Sequence, residues 1–142
     1  MGSKMKIRKG KISDLNELFN LLDSTPELQA HEEGGTYTKK WVKAVLTSKK
    51  RNLVLIAEEN GKIAGFIIAH YLTDVEESIL SDIYVKADYR RKGIATKLLR
   101  EYERISKKNN IKDVTELVLV TNKKMQQFTE KHGYRKDRKS VV

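Results

Sequence analysis

The stretch YRRKGIATKLL, residues 89–99, sets two arginines and a lysine directly before a glycine and the start of a helix. A helix N-terminus is already positive, so cations placed there repel it unless something negative joins them. The first turn of a helix also offers about four N–H groups without intrahelical partners. With Gly93 letting backbone come close to a guest, the stretch reads as an anion cradle suited to a phosphate or diphosphate. The bland alternative is an ordinary strand-to-helix turn whose basic residues are simply solvated.

Working outward, the flanks read as alternating short strands and amphipathic helices. Upstream, ESILSDIYV (77–85) is a strand. Strict alternation places Ile79, Ser81, Ile83 and Val85 on one face and Leu80, Asp82 and Tyr84 on the other. Downstream, a helix from 93 to 108 carries the apolar stripe Ile94, Ala95, Leu98, Leu99, Tyr102 and Ile105. VTELVLV (114–120) is a strand, and KKMQQFTEKH (123–132) is a helix stopped by Gly133 as its C′ residue. The last residues hold one more short strand.

Nearer the N-terminus, MKIRKG (5–10) reads as the first strand. A helix over 13–23 starts with Ser13 as its cap and Asp14 in its first turn, with Leu15, Leu18, Phe19 and Leu22 on one face. Residues 24–38 hold the single Pro and a Gly pair and read as loop. A second helix spans 38–50, with Trp41, Val42, Val45 and Leu46 inward. Two apolar runs flank Asn60-Gly61 within 52–72, a tight hairpin. Leu53–Ala57 is apolar on both faces, as a central strand covered by helices would be. The order β-α-α-β-β-β-α-β-α-β defines an α/β fold: a mixed, mostly antiparallel sheet with helices on both faces, in one domain over 1–142.

Composition narrows the function. The 142 residues include no cysteine, which excludes disulfides, cysteine-based zinc sites and a cysteine nucleophile. Three widely spaced histidines, His31, His70 and His132, argue against a metal site. No apolar run approaches the ~20 residues that span a bilayer. The N-terminus lacks the apolar core of a signal peptide, so a cytoplasmic protein is expected. Twenty-nine Lys and Arg against 19 Asp and Glu give a net charge of +10, a field that attracts polyanions. A basic nucleic-acid-binding module is the least favoured reading, because aromatics are 7% and no nucleic-acid motif is present. Neither G-x-x-x-x-G-K-[ST] nor G-x-G-x-x-G occurs, so the cradle belongs to neither common nucleotide-binding loop.

The segment VKADYRRKGIATKLL (85–99) resembles the acetyl-CoA-binding motif of the N-acetyltransferases of the GNAT superfamily. Arg90-x-x-Gly93-x-Ala95 satisfies its pattern of Arg or Gln, two residues, Gly, one residue, then Gly or Ala. LVLVTNKKMQQFTEKHGY (117–134) is similar to the family's strand, Asn, helix and Glu-Lys-x-Gly-Phe/Tyr ending. The element order resembles the superfamily's over nearly the whole chain.

The resemblance implies acetyl-CoA as cosubstrate, no metal, and direct transfer of acetyl to a primary amine. It places the coenzyme diphosphate on the backbone N–H groups of Arg91, Lys92, Gly93, Ile94, Ala95 and Thr96, with Arg90 adding charge. It lays the thioester arm along Ile83, Tyr84 and Val85, through a splay between that strand and the next. It assigns the carbonyl-polarising N–H to Ile83 and a coenzyme contact to Asn122. Many relatives use an acidic base on this strand. The candidate here is Asp82, ahead of Glu76 and Glu77, since Ser81 stands where several relatives carry the acid.

A tyrosine four residues before the last motif's Gly often protonates the leaving thiolate in relatives. Thr129 occupies that position. This departure motivates an alternative, a coenzyme-binding protein with weak or no catalysis that acts as a sensor or partner subunit. Tyr134 matches the family's packing aromatic, and His132 reads as a surface residue. In relatives the loop between the first two helices walls the acceptor groove. Glu27, His31 and Glu32 are its candidates, and an acidic wall favours a cationic small molecule or peptide. Pairing through a terminal strand is common in the family, so a homodimer is one of the states the resemblance allows. No membrane contact is expected.

Overall fold

The computed structural model describes residues 5–25, 37–72, 76–116, 127–128 and 130–134. Five strands lie in the order β1-β2-β3-β4-β5. They are β1 (Met5–Lys9), β2 (Asn52–Glu59), β3 (Lys62–Leu72), β4 (Glu77–Val85) and β5 (Asp113–Glu116). The first four are antiparallel to their neighbours, and β5 runs parallel to β4, pairing Glu77 with Asp113 through Leu80 with Glu116. Among the described residues three helices cover the sheet: α1 (Leu15–Ser24), α2 (Lys39–Thr47) and α3 (Ile94–Lys108).

The sheet separates two apolar cores. On one face α1 and α2 lay Leu18, Leu22, Val42, Val45 and Leu46 on Val54, Ile56, Phe66 and Ile68. On the other, Ile94, Leu98, Leu99, Tyr102 and Ile105 of α3 pack on Leu55, Ile67, Leu80 and Val85. The interior strand β2 is buried on both faces, as its unbroken apolar run requires. The expected mixed, mostly antiparallel sheet with helices on both faces is the observed one.

Local chemistry explains the boundaries. Asn60 and Gly61 both take positive φ, 53° and 79°, the two-residue turn that matches strand twist. Thr38 caps α2 by accepting from the amide of Trp41 at 3.1 Å. Ser13 does not cap α1: it sits in a 3-10 turn, Ile12–Asp14, that precedes the helix. Asp14 instead takes both forks of the Arg8 guanidinium at 2.8 Å each, and the Lys11 amide at 2.9 Å. That clamp ties β1 to the start of α1. Buried Tyr102 keeps its hydroxyl satisfied by a 2.5 Å bond with Ser78 of β4.

β4 departs from plain alternation. Ile68 pairs with Asp82 and Ala69 with Leu80, so Ser81 is an extra residue in a β-bulge. The phase slips by one there. Leu80 therefore joins Val85 in the α3-side core, and Ser81 turns to the same side as Asp82. The expectation that Ser81 and Asp82 lie on opposite faces, and that Leu80 shares a face with Asp82, is overturned by this one inserted residue.

Candidate active site

The C-terminal end of β4 leads through a short 3-10 turn, Ala87–Tyr89, into the N-terminus of α3. Gly93 is the residue before the helix, left-handed at φ 76°, and among the described residues no side chain caps that end. A left-handed residue followed by a helical one makes successive N–H groups converge into an anion-binding concavity. A Cβ added to Gly93 would meet no atom within 4 Å, so the space over this backbone is open. Arg91 is also left-handed, at φ 66°, a conformation that costs a side-chain-bearing residue about 1 kcal/mol.

The three cations of the loop are not equivalent. Arg90 turns back on the strand: its Nε donates to the Val85 carbonyl at 2.8 Å, and its guanidinium lies 5.5 Å from the Tyr84 ring centroid. Arg90 thus braces the strand-to-loop corner rather than standing wholly in solvent. Lys92 lies over the Tyr89 ring at 5.5 Å. Arg91 and Lys92 are both exposed.

A second support comes from the chain's C-terminal part. His132 is half-buried, contrary to the surface position expected for it. Its Nδ1 bonds the Phe128 carbonyl at 2.8 Å, which places the ring proton there and leaves Nε2 to accept from Thr96 Oγ1 at 3.0 Å. Tyr134 packs against the α3-side core, and its hydroxyl donates to Glu103 Oε2 at 2.9 Å. Gly133 has φ 95°, the left-handed conformation expected of a helix-ending C′ residue. The start and middle of α3 are therefore both tied to residues 128–134.

On the other face of β4 the bulge gathers a polar cluster. The Tyr37 hydroxyl donates to Asp82 Oδ2 at 2.9 Å, and Ser81 Oγ lies 3.1 Å from the same oxygen. Ser81 Oγ is also 3.2 Å from His70 Nε2 and 3.1 Å from the Ile68 carbonyl. His70 Nδ1 is 2.7 Å from Asn52 Oδ1. Trp41 stacks on Tyr37 with centroids 4.3 Å apart and sets an edge against His70 at 6.0 Å.

Burial pushes the Asp82 carboxyl up to about 6, against the opposing pull of the Tyr37 and Ser81 hydroxyls. Burial, then the Asp82 charge, pushes the Tyr37 phenol far above its usual range, so it stays a proton donor. Burial also lowers His70, which favours the neutral ring. A carboxylate ionised at neutral pH but close to its titration point has the acidity a general base needs.

The expected site residues divide accordingly. Ile83, Tyr84 and Val85 are consecutive on β4, Val85 in the α3-side core and Tyr84 against the opposite one. Ile83 pairs with Ile67 of β3. Glu77 accepts from Thr115 Oγ1 at 3.0 Å, and Glu76 pairs with Lys112 at 3.5 Å, so both carboxylates are engaged at the far end of the strand. Asn122, Thr129, Glu27, His31, Glu32 and the strand splay lie outside the described residues.

Tyr37, Trp41 and His70 were not legible as site residues. The only signal was two aromatics four apart at a helix start, which a core stripe produces equally well.

The sequence model of the acetyltransferase (GNAT) family matches residues 15–134. The uncharacterized N-acetyltransferase YhfO of Bacillus subtilis (strain 168) is 30% identical over 138 residues, 94% of this chain and 91% of that protein. The chain belongs to the acetyltransferase (GNAT) family. Among solved structures it is similar to the PaiA N-acetyltransferase of Thermoplasma acidophilum in complex with coenzyme A. That likeness has 25% identity and a TM-score of 0.73 over 94% of this chain and 91% of that one. It shares the fold of the aminoglycoside N-acetyltransferase AAC(6')-Iy in complex with CoA, with 17% identity and a TM-score of 0.80 over 100% and 95% of the two chains. Among the described residues no helix is long and apolar enough to cross a membrane.

Proposed function

We propose that this chain is a single-domain, cytoplasmic acetyltransferase that moves an acetyl group from acetyl-CoA to a primary amine by direct attack on the thioester. The observation that carries the reading is the uncapped start of α3 at left-handed Gly93, directly beyond the strand that bears Asp82. Free amides, open space over Gly93 and the exposed cations Arg91 and Lys92 together fit a diphosphate. Acetyl-CoA supplies an activated acyl carbon and a thiolate leaving group.

The chain's own part is to bind, orient and take up a proton. The amides of Arg91, Lys92, Gly93, Ile94, Ala95 and Thr96 hold the diphosphate, and Arg90 keeps the loop against β4. The backbone of Ile83, Tyr84 and Val85 lines the coenzyme arm, and the Ile83 N–H polarises the acetyl carbonyl. Asp82 accepts the proton of the attacking amine, with the Tyr37 hydroxyl holding its carboxylate in place. Asn122 adds a coenzyme contact. The acidic residues Glu27 and Glu32, with His31, wall the acceptor side and favour a cationic amine, small molecule or peptide. Two copies pair through a terminal strand.

A thiol is a far stronger acid than an alcohol, about 8.5 for cysteine, so a thiolate leaves at modest cost without a tyrosine at position 129. Thr129 there positions a water. The second reading, coenzyme binding with weak or no turnover, draws its support from the same threonine.

The test is thiol release from acetyl-CoA across polyamines, amino acids, aminoglycosides and peptides, with Gly93→Asp as control. Turnover with at least one amine, lost in the control, is expected. Saturable acetyl-CoA binding with no turnover on any amine selects the second reading. No binding at low salt contradicts both.

A further inference from the structure

Ser81 and His70 stand behind Asp82 in a continuous hydrogen-bonded chain that a simple base does not require. Asp82 Oδ2, Ser81 Oγ, His70 Nε2, His70 Nδ1 and Asn52 Oδ1 follow one another at 3.1, 3.2 and 2.7 Å across three neighbouring strands. The direction of the chain is set at its far end. The Asn52 amide nitrogen donates to the Ser48 carbonyl at 3.2 Å, which turns Oδ1 toward His70. An oxygen there requires the ring proton on Nδ1, so Nε2 presents a lone pair to the Ser81 hydroxyl. Ser81 has one proton and three acceptors within reach, the Asp82 carboxylate, His70 Nε2 and the Ile68 carbonyl, of which Asp82 and His70 are the ones that can take the proton over.

We propose that Ser81 and His70 form a relay that carries the proton accepted by Asp82 away from the acceptor side of β4. The inference rests on the role given to Asp82 above. Every transfer balances. An amine N–H bond breaks as an Asp82 O–H bond forms. That O–H breaks as Ser81 takes the proton, while the original Ser81 O–H breaks and an N–H forms at His70 Nε2. The half-buried imidazolium then loses its proton to solvent, and the Ser81 hydroxyl, now directed at Asp82, rotates back to His70. No electrons change hands.

The energetics suit a two-way passage. Burial raises Asp82 to about 6 and lowers His70, so the two proton affinities move toward each other. A smaller gap in affinity lets a proton pass more easily in either direction. The groups facing the pair are the Tyr37 phenol from the segment before α2, the Trp41 ring edge from α2, and Asn52 from β2. None carries charge at neutral pH. The bulge is what makes the relay: without the inserted residue, Ser81 would point into the opposite core.

The experiment combines steady-state kinetics with NMR titration of the histidine side chains in the whole protein. Ser81→Ala and His70→Gln are expected to lower kcat at least tenfold, with KM for acetyl-CoA and for the amine within twofold of wild type. A solvent isotope effect on kcat that reflects more than one proton in wild type should fall to that of a single proton in Ser81→Ala. Added imidazole should restore part of the rate to His70→Ala. In the NMR titration the wild-type His70 ring should show the Nδ1–H tautomer, and its midpoint should move on Asp82→Asn and on Ser81→Ala.

Kinetics of both variants at wild-type kcat would overturn the relay while leaving the acetyltransferase reading standing. If no amine is acetylated at all, that reading fails by itself. The NMR arm then decides the relay: a His70 midpoint indifferent to Asp82→Asn, or an Nε2–H tautomer, contradicts it.

Discussion

Asp82 illustrates how surroundings change the acidity of a single side chain. On a solvent-exposed strand it would be an ordinary carboxylate. Beneath Tyr37 and beside Ser81 it holds its proton to about pH 6. An amine acceptor must also be neutral to attack, and with a pKa near 10 its reactive fraction rises tenfold per pH unit across the working range. The logarithm of kcat/KM should therefore rise with a slope of about one above pH 6, and of about two below it, where Asp82 must also ionise. In Asp82→Asn the slope should stay near one throughout, at a rate lowered roughly 100-fold, within the usual contribution of a general base. A pH–rate series on both proteins checks this.

Arg91 shows the opposite bargain, stability given up for charge. It holds a left-handed backbone that a glycine would adopt freely. Arg91→Gly should raise the unfolding free energy by about 1 kcal/mol and weaken acetyl-CoA binding, increasingly so at low salt. Thermal melts and calorimetric titrations read the two effects separately.

At the scale of the element, the decisive features are where strands and helices break their own rules. Alternation along β4 holds from Asp82 to Val85 and slips before it, because period-two patterning carries no marker for an inserted residue. Ser81 could have been any strand residue; only pairing with β3 reveals the slip, with Ile68 opposite Asp82 and Ala69 opposite Leu80. The start of α1 failed for a related reason. Ser13 has the chemistry of a cap, yet Asp14 is taken by Arg8, fifty residues from its other partner Glu58, and that tertiary pairing sets the helix start one residue later. The Gly93 loop was legible because its signal is local: a left-handed glycine, a helix stripe and a run of cations are contiguous in sequence. Tyr37, Trp41 and His70 were not, because they meet only once α2 lies on the sheet.

The Arg8–Asp14 clamp makes an element-scale prediction. The guanidinium beside Asp14 holds its carboxyl below the usual carboxylate range, followed in effect by the Lys11 amide. A depressed folded-state pKa stabilises above the unfolded value and is lost as pH falls through the folded one. Asp14→Asn should lose on the order of 2 kcal/mol at neutral pH, and the gap to wild type should narrow in acid below the ordinary carboxylate range. Denaturant melts at neutral and acid pH measure it.

At the scale of the molecule, the fold sorts structure from chemistry by face. α3 and its core seal one side of the sheet and deliver amides to the anion cradle. α1 and α2 seal the other and shelter the Asp82 cluster. β4 belongs to both, and the bulge lets it serve both. This arrangement has an energetic signature. Asp82 binds its proton more tightly when folded, so between its ordinary 3.8 and about 6 the folded state holds more protons than the unfolded one. Its contribution to stability therefore falls as pH rises through that window, and the whole penalty, on the order of 2–3 kcal/mol, stands above it. The stability of Asp82→Asn relative to wild type should improve by that amount between about pH 3.5 and pH 7, read by urea melts at both ends of the window.

The central claim is that the uncapped, left-handed start of α3 seats the coenzyme diphosphate. Isothermal titration of the whole protein with acetyl-CoA at low salt tests it most directly, on wild type and on Gly93→Asp, with matched melts to show that both fold. The account predicts saturable binding at micromolar levels for wild type, weakening as salt rises, and its loss in Gly93→Asp. Equal binding by both proteins, or no heat from the wild type, would contradict it.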